Sequence, residues 1–384
     1  MRTNALNLIR LALALLVLVA HGYYLSGRGD GPSIRGENLG GWAVFGFFTI
    51  SGYLITASRF ANPLGRFLVL RVARIYPAFL VCLVVTAGVF APLAWWAEGR
   101  PWAPFLTTPT TPVGYVLRNL GLRITAYDVA GTPASVPYPG AWNGSLWTLF
   151  YEFLCYLLVA ALVCLPLVRR HRWTMGVAFA LSVAVWATAP AWQVAHPDLA
   201  LFARLAPPFL GGALVQVCVH RLPLRTPVAL VAAPLALALV AGIDHWGAQA
   251  ASPLIAYVLL WLSTVLPSPA LLRRHDISYG VYIYAFPVQQ LLAYAGLPAR
   301  GLLAYDLGAT AVTALLATAS WRLVERPALR AARRWLPPTP SPPGPPATPD
   351  AVGSAAERVS TELTHGIPAP PDDRLGQEGQ GVRP

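Results

Sequence analysis

The stretch 7-NLIRLALALLVLVAHGYYL-25 places ten consecutive apolar residues between Arg10 and His21. About 20 predominantly apolar residues are enough for a helix to cross a bilayer. An ionisable side chain inside such a helix costs about 2.5–3.5 kcal/mol or more, and it usually faces a cavity or a partner. The stretch therefore predicts a membrane helix with two polar side chains whose presence needs a reason.

The composition of the chain indicates a membrane protein with many spans. Of its 384 residues, 56% are hydrophobic and only 11% are charged, whereas soluble domains carry about 25% charged residues. The pattern predicts an all-α polytopic membrane protein with about ten transmembrane helices. The apolar segments lie near 5–25, 41–58, 75–96, 143–165, 173–190, 203–219, 227–243, 250–266, 277–296 and 304–321.

The basic residues predict how these helices are oriented. All 28 basic residues other than His are Arg, so a Lys nucleophile is excluded. Dense Arg clusters fall on alternate connections, which the positive-inside rule assigns to the cytoplasm. We therefore expect both termini in the cytoplasm, an even number of spans, contacts with membrane lipids and no nucleic acid partner. The clusters are Arg59, Arg66, Arg71 and Arg74; Arg169, Arg170 and Arg172; Arg221 and Arg225; Arg273 and Arg274; and Arg322, Arg326, Arg330, Arg333 and Arg334.

The composition changes just after residue 335. Residues 1–335 are predicted to form one integral membrane domain, and residues 336–384 a Pro-rich tail that is too polar to fold and is expected to be disordered. One long connection, about 97–141, contains PVGYVLRNLGL, which predicts a short helix along the membrane surface. The four cysteines form no C-x-x-C pair, and no metal site is expected.

Arg10 and His21 lie eleven residues apart, which is within about 20° of three full helical turns. Both side chains therefore share one helix face and lie about 16 Å apart along the axis. Arg10 can bind a ligand, or it can be an interfacial side chain that reaches for lipid headgroups. His21 can accept a proton, or it can be a hydrogen-bonded structural residue near the interface.

Three more ionisable residues stand out. Arg71 and Arg74 are i and i+3, on one helix face, where they can clamp phosphate groups or simply anchor the protein at the membrane surface. Glu152 lies about ten residues into the fourth apolar segment, where an unpaired carboxylate is costly. It can pair with an Arg, or it can accept the second ring N–H of His21 and raise the basicity of that ring.

Six short motifs, taken together, resemble membrane acyltransferase family 3. In chain order they are R-x10-H at Arg10 and His21, FGFFTISGYLIT, R-x-x-R at Arg71 and Arg74, SLWTLFYE ending at Glu152, ISYGVYIYAFP and WRLVERP. They cover about residues 5–327, and their order is more specific than any one motif. The resemblance implies that the family's functional residues correspond here to Arg10, His21, Arg71, Arg74 and Glu152.

The resemblance also implies roughly ten membrane helices and an acyl-CoA donor on the cytoplasmic side. The acceptor in the family is often a sugar hydroxyl, on an exported glycan or on a small molecule. The sequence departs from the family at Ala285. Many relatives have a His at this position, two residues before the Pro of the motif, so no catalytic His is expected there.

We therefore expect a membrane O-acyltransferase of the bacterial plasma membrane that uses acyl-CoA, most simply acetyl-CoA, as its donor. His21 is predicted to act as general base on the acceptor hydroxyl or to carry the acyl group transiently, with Glu152 as the second catalytic residue. The cofactor-binding residues are predicted to be Arg10, Arg71 and Arg74.

The acceptor stays open between a glycan, a glycolipid or other lipid-linked sugar, and a natural product such as a secondary metabolite. Trp147 of the SLW motif and the external-loop residues Trp102 and Trp142 can form a stacking platform for a sugar, although Trp also marks membrane interfaces. A transporter or flippase of cell-envelope precursors is the main alternative, but no inverted repeat is visible. A purely structural membrane protein leaves Arg10 and His21 unexplained.

Overall fold

The computed structural model describes residues 5–336, most of which are helical. The predicted Pro-rich tail, apart from Leu336, lies outside the described residues. β1 (Ser33–Ile34) and β2 (Glu37–Asn38) form a small antiparallel hairpin. The helices are α1 (Leu6–Leu25), α2 (Leu39–Ala61), α3 (Leu64–Ala97), α4 (Pro112–Asn119), α5 (Trp147–Cys164), α6 (Pro166–Arg170), α7 (Thr174–Ala187), α8 (Pro197–Cys218), α9 (Thr226–Gly242), α10 (Gly247–Val265), α11 (Ala270–Arg274), α12 (Ser278–Tyr294) and α13 (Leu302–Trp335).

Each of the ten predicted apolar segments overlaps a helix, namely α1, α2, α3, α5, α7, α8, α9, α10, α12 or α13. Seven of these helices are long and apolar enough to cross a membrane. The other three are shorter, with 14 residues in α7 and 17 each in α9 and α12. The described chain is therefore mostly helical, with seven candidate membrane-spanning helices and almost no sheet.

Three helices begin four or more residues away from the start of the predicted apolar segment, among them α8, which starts at Pro197 instead of 203. α3 starts at Leu64, directly after Pro63, because the Arg side chains in its first turns lower the local hydropathy without interrupting the helix. α5 starts at Trp147 instead of 143. Glu152 therefore lies in the second turn of α5, closer to the helix start than the sequence suggested.

The late start of α5 has a local cause in residues 142–146, which we refer to as the pre-α5 segment. Asn143 Nδ2 donates to Ile283 O at 2.7 Å, and Tyr282 OH donates to Ser145 O at 2.9 Å. The segment therefore forms these hydrogen bonds with α12 and does not form an additional turn of α5. Irregular backbone at membrane depth is tolerated where protein groups satisfy its hydrogen bonds. Two buried residues of α12, Tyr282 and Ile283, provide hydrogen-bond partners for the pre-α5 segment.

The long connection between α3 and α5 contains the short helix that the sequence predicts, α4. Its N-cap Thr111 accepts a hydrogen bond from Gly114 N at 3.0 Å. Trp142, at the far end of the connection, is fully buried, and its Nε1 donates to Thr132 Oγ1 at 3.0 Å. The expectation that Trp142 offers a face to a sugar is therefore wrong.

Glycine lets α2 and α8 approach each other closely. A Cβ at Gly52 would lie 1.8 Å from Phe209 O, and a Cβ at Gly212 would lie 1.9 Å from Thr49 O. Small residues at such crossings allow backbones in a membrane bundle to come into direct contact. The crossing fixes α2, which carries part of the candidate site, against the rest of the bundle.

The two ends of the bundle differ in character. At the end where α1 begins, Ala5 N donates to Ser263 O near the end of α10, at 2.8 Å. We refer to this end as the Arg-rich face, because Arg10 and its ion pairs lie there. The end where α1 finishes and α2 begins is the opposite face.

Reporter fusions test which face is cytoplasmic. We expect fusions at Arg172, between α6 and α7, and at Arg334 to give a cytoplasmic signal, because Arg clusters favour that side. A fusion at Asp128, between α4 and α5, should give an external signal. The paired activities of alkaline phosphatase and β-galactosidase fusions measure this, and a cytoplasmic signal at Asp128 would contradict the orientation.

Candidate active site

Four charged side chains from distant parts of the chain form one cluster at the Arg-rich face. Arg10 Nη1 lies 2.5 Å from Asp276 Oδ2, and Arg74 Nη2 lies 2.6 Å from the same oxygen. Arg74 Nη1 also lies 3.0 Å from Glu325 Oε2. One carboxylate therefore bridges two of the three Arg residues that the sequence assigns to the donor.

Asp276, in the connection before α12, and Glu325, in α13, are the members of this cluster that were not predicted as site residues. Burial alone would raise the pKa of Asp276, but Arg10, Arg74 and two hydrogen bonds from Ser278 lower it to about 2, so the carboxylate is ionised. The available signal was its position directly before the ISYG motif. The cluster thus contains equal numbers of guanidinium and carboxyl groups, two of each.

Arg71 differs from Arg10 and Arg74, since it forms no ion pair with any residue in the described range. Its Nε is buried without a hydrogen-bond partner, and its guanidinium lies 5.9 Å from the centre of the Phe67 ring. A buried charge without a counter-charge is costly. Of the three Arg residues, Arg71 is therefore the one with the capacity to bind an added anion.

Glu152 Oε1 accepts hydrogen bonds from Ser51 Oγ and Tyr156 OH, both at 2.8 Å. Between residues 5 and 336, Glu152 forms neither an ion pair with an Arg nor a hydrogen bond with His21, so neither predicted pairing is present. Glu152 and Arg10 instead line a common cavity of about 40 Å³ among α1, α2, α5 and α12.

His21 is buried where α1 packs on α12. Its ring makes edge contacts with Tyr24 and Phe286, with ring centres 5.5 and 5.2 Å apart, and its Nδ1 is buried without a hydrogen-bond partner. Arg10 also points towards α12, through Asp276, so the predicted common face is confirmed. An imidazole nitrogen without a partner is available to accept a proton.

Close packing fixes the turn of α1 that carries His21. A Cβ at Gly22 would lie 2.1 Å from Asp306 Oδ1 in α13, so only glycine fits there without a shift. Gln289 Nε2 donates to Leu18 O at 3.0 Å. These contacts from α12 and α13 determine how far His21 lies from the neighbouring helices.

With this geometry established, comparison with known proteins identifies the family. The family described as an acyltransferase domain, acyltransferase family 3, matches residues 3–322. The chain belongs to acyltransferase family 3. An O-acetyl transferase of Shigella phage Sf6 is 30% identical over 356 residues, covering 85% of this chain and 96% of the relative.

Nodulation protein 10 of Rhizobium leguminosarum bv. viciae is 27% identical to the chain over 377 residues, covering 85% of this chain and 93% of the relative. No solved structure matches the chain. Membership of acyltransferase family 3 confirms the resemblance seen in the motifs, and the protein is an acyltransferase that transfers groups other than aminoacyl groups. The comparisons thus favour the enzyme over the transporter alternative.

Proposed function

We propose that the protein is an O-acyltransferase of the bacterial plasma membrane that moves acetyl, or another short acyl group, from acyl-CoA to a hydroxyl group. The acceptor is a glycan, a lipid-linked sugar or a secondary metabolite. The observation that carries the proposal is the shared face of α1, on which Arg10 and a His21 with an unpartnered Nδ1 both point towards α12.

The donor binds with its phosphates at the Arg-rich face. Arg71 supports this assignment, because its guanidinium can form two parallel hydrogen bonds with a phosphate. Arg10 and Arg74 provide further guanidinium groups in the same region, although Asp276 holds both. The pantetheine arm of coenzyme A is long and narrow enough to cover the roughly 16 Å from Arg10 to His21.

Transfer then takes place beside His21. The acceptor oxygen attacks the thioester carbonyl carbon while His21 Nδ1 takes the hydroxyl proton, the C–S bond breaks, and the thiolate takes that proton to leave free coenzyme A. In the variant with covalent catalysis, the imidazole attacks the thioester first and the C–S bond breaks to release the coenzyme A thiolate. The acyl group then passes from the ring nitrogen to the acceptor oxygen, and the hydroxyl proton goes to the thiolate. Glu152 contributes by holding Ser51 on the wall of the cavity it shares with Arg10, and Tyr156 OH in turn donates a hydrogen bond to Glu152.

Acetyl-CoA consumption by the purified protein in detergent tests the proposal, with released thiol as the readout. We expect Arg71→Ala to raise the Michaelis constant for acetyl-CoA about 10–100-fold with little change in turnover, since a hydrogen bond to a charged group contributes about 1.5–3 kcal/mol. Arg221→Ala, at an exposed Arg between α8 and α9, is the matched control and should behave as wild type.

Arg74→Ala provides a contrast. This change leaves Asp276 and Glu325 without their shared cation, so we expect lower stability in addition to any effect on the donor. A loss of turnover in Arg71→Ala at an unchanged Michaelis constant would show that Arg71 acts elsewhere than on the donor phosphates.

A further inference from the structure

Two cavities lie side by side at the opposite face, away from the Arg cluster. The larger, about 560 Å³, is lined by residues from α2, α8, α9 and α10, and the smaller is about 340 Å³. Trp147, the first residue of α5, lines both. Each volume falls in the range of about 300–1,000 Å³ typical of small-molecule sites. We refer to the two cavities, which share Trp147 as a lining residue, as the cleft.

Three indole rings are among the groups that line the larger cavity. Trp42, Trp147 and Trp186 all line it. Trp186 is held in place because its ring stacks on His245, with centres 4.5 Å apart, and its Nε1 donates to His245 O at 3.0 Å. Fixed aromatic faces suit a ligand that has an apolar C–H face and a polar rim. Pyranose rings have that character.

The charges in the cleft balance. In the larger cavity Arg35 pairs with Asp244 and Arg204 pairs with Glu37. A ligand that carries phosphates or carboxylates would need guanidinium groups that are not already paired with a carboxylate. The guanidinium groups of Arg35 and Arg204 are both paired. Ion pairs of this kind still offer donors and acceptors to hydroxyl groups.

The smaller cavity repeats the arrangement. Arg123 Nη2 lies 2.6 Å from Asp198 Oδ2, and Tyr151 OH donates to Asp198 Oδ1 at 3.2 Å. Gln249 adds a further polar group in the larger cavity, where it is buried and its Oε1 has no hydrogen-bond partner. A ligand hydroxyl can satisfy this oxygen. Both halves of the cleft therefore suit a neutral, polyhydroxylated ligand.

The cleft also adjoins the inner cavity. Val44 lines both the larger outer cavity and the cavity that contains Arg10 and Glu152. Thr148, which follows Trp147 in α5, lines the inner cavity as well. A ligand held in the cleft thus lies next to the interior of the bundle, where the proposed donor would arrive.

We propose that this cleft binds a neutral oligosaccharide acceptor, with sugar units on both sides of Trp147 and one hydroxyl directed into the bundle. The proposal rests on the proposed function and narrows the acceptor to a glycan chain. A single sugar or a small sugar-bearing metabolite fills only one of the two cavities, so it gains nothing from the second.

The test compares acceptors of different length. Oligosaccharides of increasing length, from a single sugar upward, are prepared from the base-deacylated envelope polysaccharide of the source bacterium. Each is offered with acetyl-CoA to the purified protein, and acylated product is measured. We expect the Michaelis constant for the acceptor to fall about 2–10-fold once both cavities are filled, since the longer acceptor gains a second aromatic contact.

Variants of Trp147 assign the effect to the cleft. Trp147→Ala should remove the advantage of the longer acceptors and leave the Michaelis constant for acetyl-CoA unchanged, and Trp147→Phe, which keeps a ring for packing, should retain part of it. Trp173→Ala is the control, because Trp173 is 65% exposed and lines neither cavity. Equal constants for short and long acceptors, or a Trp147→Ala variant that still prefers long ones, would overturn the proposal.

Calorimetric titration with the longest oligosaccharide distinguishes a failure of the proposed donor reaction from a failure of the cleft proposal. If no acceptor consumes acetyl-CoA, the proposed donor reaction fails, yet binding that Trp147→Ala weakens still supports the cleft. If thiol is released with small metabolites and the oligosaccharide does not bind, the donor reaction stands and the cleft proposal is overturned.

Discussion

Replacing His21 by Ala should lower the rate of acyl transfer about 10²–10⁴-fold while the protein still inserts and folds. The ring nitrogen Nδ1 has no partner and the ring makes edge contacts with Tyr24 and Phe286. Removal of the ring therefore loses these packing contacts but breaks no hydrogen bond in the described part of the chain. If His21 carries the acyl group covalently, the loss should be at least as large.

His21→Gln separates proton transfer from structure. Gln can hydrogen-bond and fills a similar space, but it cannot take a proton at neutral pH. Single-turnover transfer from labelled acetyl-CoA, together with size-exclusion profiles of each variant, provides the measurement. A Gln variant that keeps more than about a tenth of the wild-type rate would mean that His21 is a structural residue and that general-base catalysis lies elsewhere.

The face shared by Arg10 and His21 was predictable because helix periodicity is a local property. The residues between them form one continuous helix, so eleven positions fix the angle between the two side chains without any knowledge of the tertiary structure. The apolar segments were also predictable from local sequence, because a membrane helix forms its backbone hydrogen bonds within the segment itself.

The partners of these residues depend on tertiary packing and were not predictable. Asp276 is 266 positions from Arg10 in the sequence, and periodicity says nothing about which distant carboxylate a guanidinium meets. Glu152 is different, because one of its partners, Tyr156, is at i+4 and within local reach. Sequence reasoning looked for charged partners and overlooked the hydroxyl.

The second large effect concerns Asp276 itself. We expect Asp276→Asn to lower the free energy of unfolding by about 3–5 kcal/mol, because removal of one member of a buried ion pair leaves its partners uncompensated. Asn has the same shape but cannot neutralise Arg10 and Arg74 together, which Asp276 now does through a single oxygen. Denaturation by SDS titration from dodecyl maltoside micelles measures the change.

Two further variants make this prediction specific to the cluster. Asp30→Asn changes an exposed acid and should alter stability by less than about 0.5 kcal/mol. The double variant Arg10→Met with Asp276→Asn restores charge balance around Arg74 and Glu325, so its loss should be smaller than the sum of the two single losses. Additive losses, or an Asp276→Asn variant as stable as wild type, would show that Asp276 does not hold the Arg residues together, and Arg10 would then be as free as Arg71 to bind the donor.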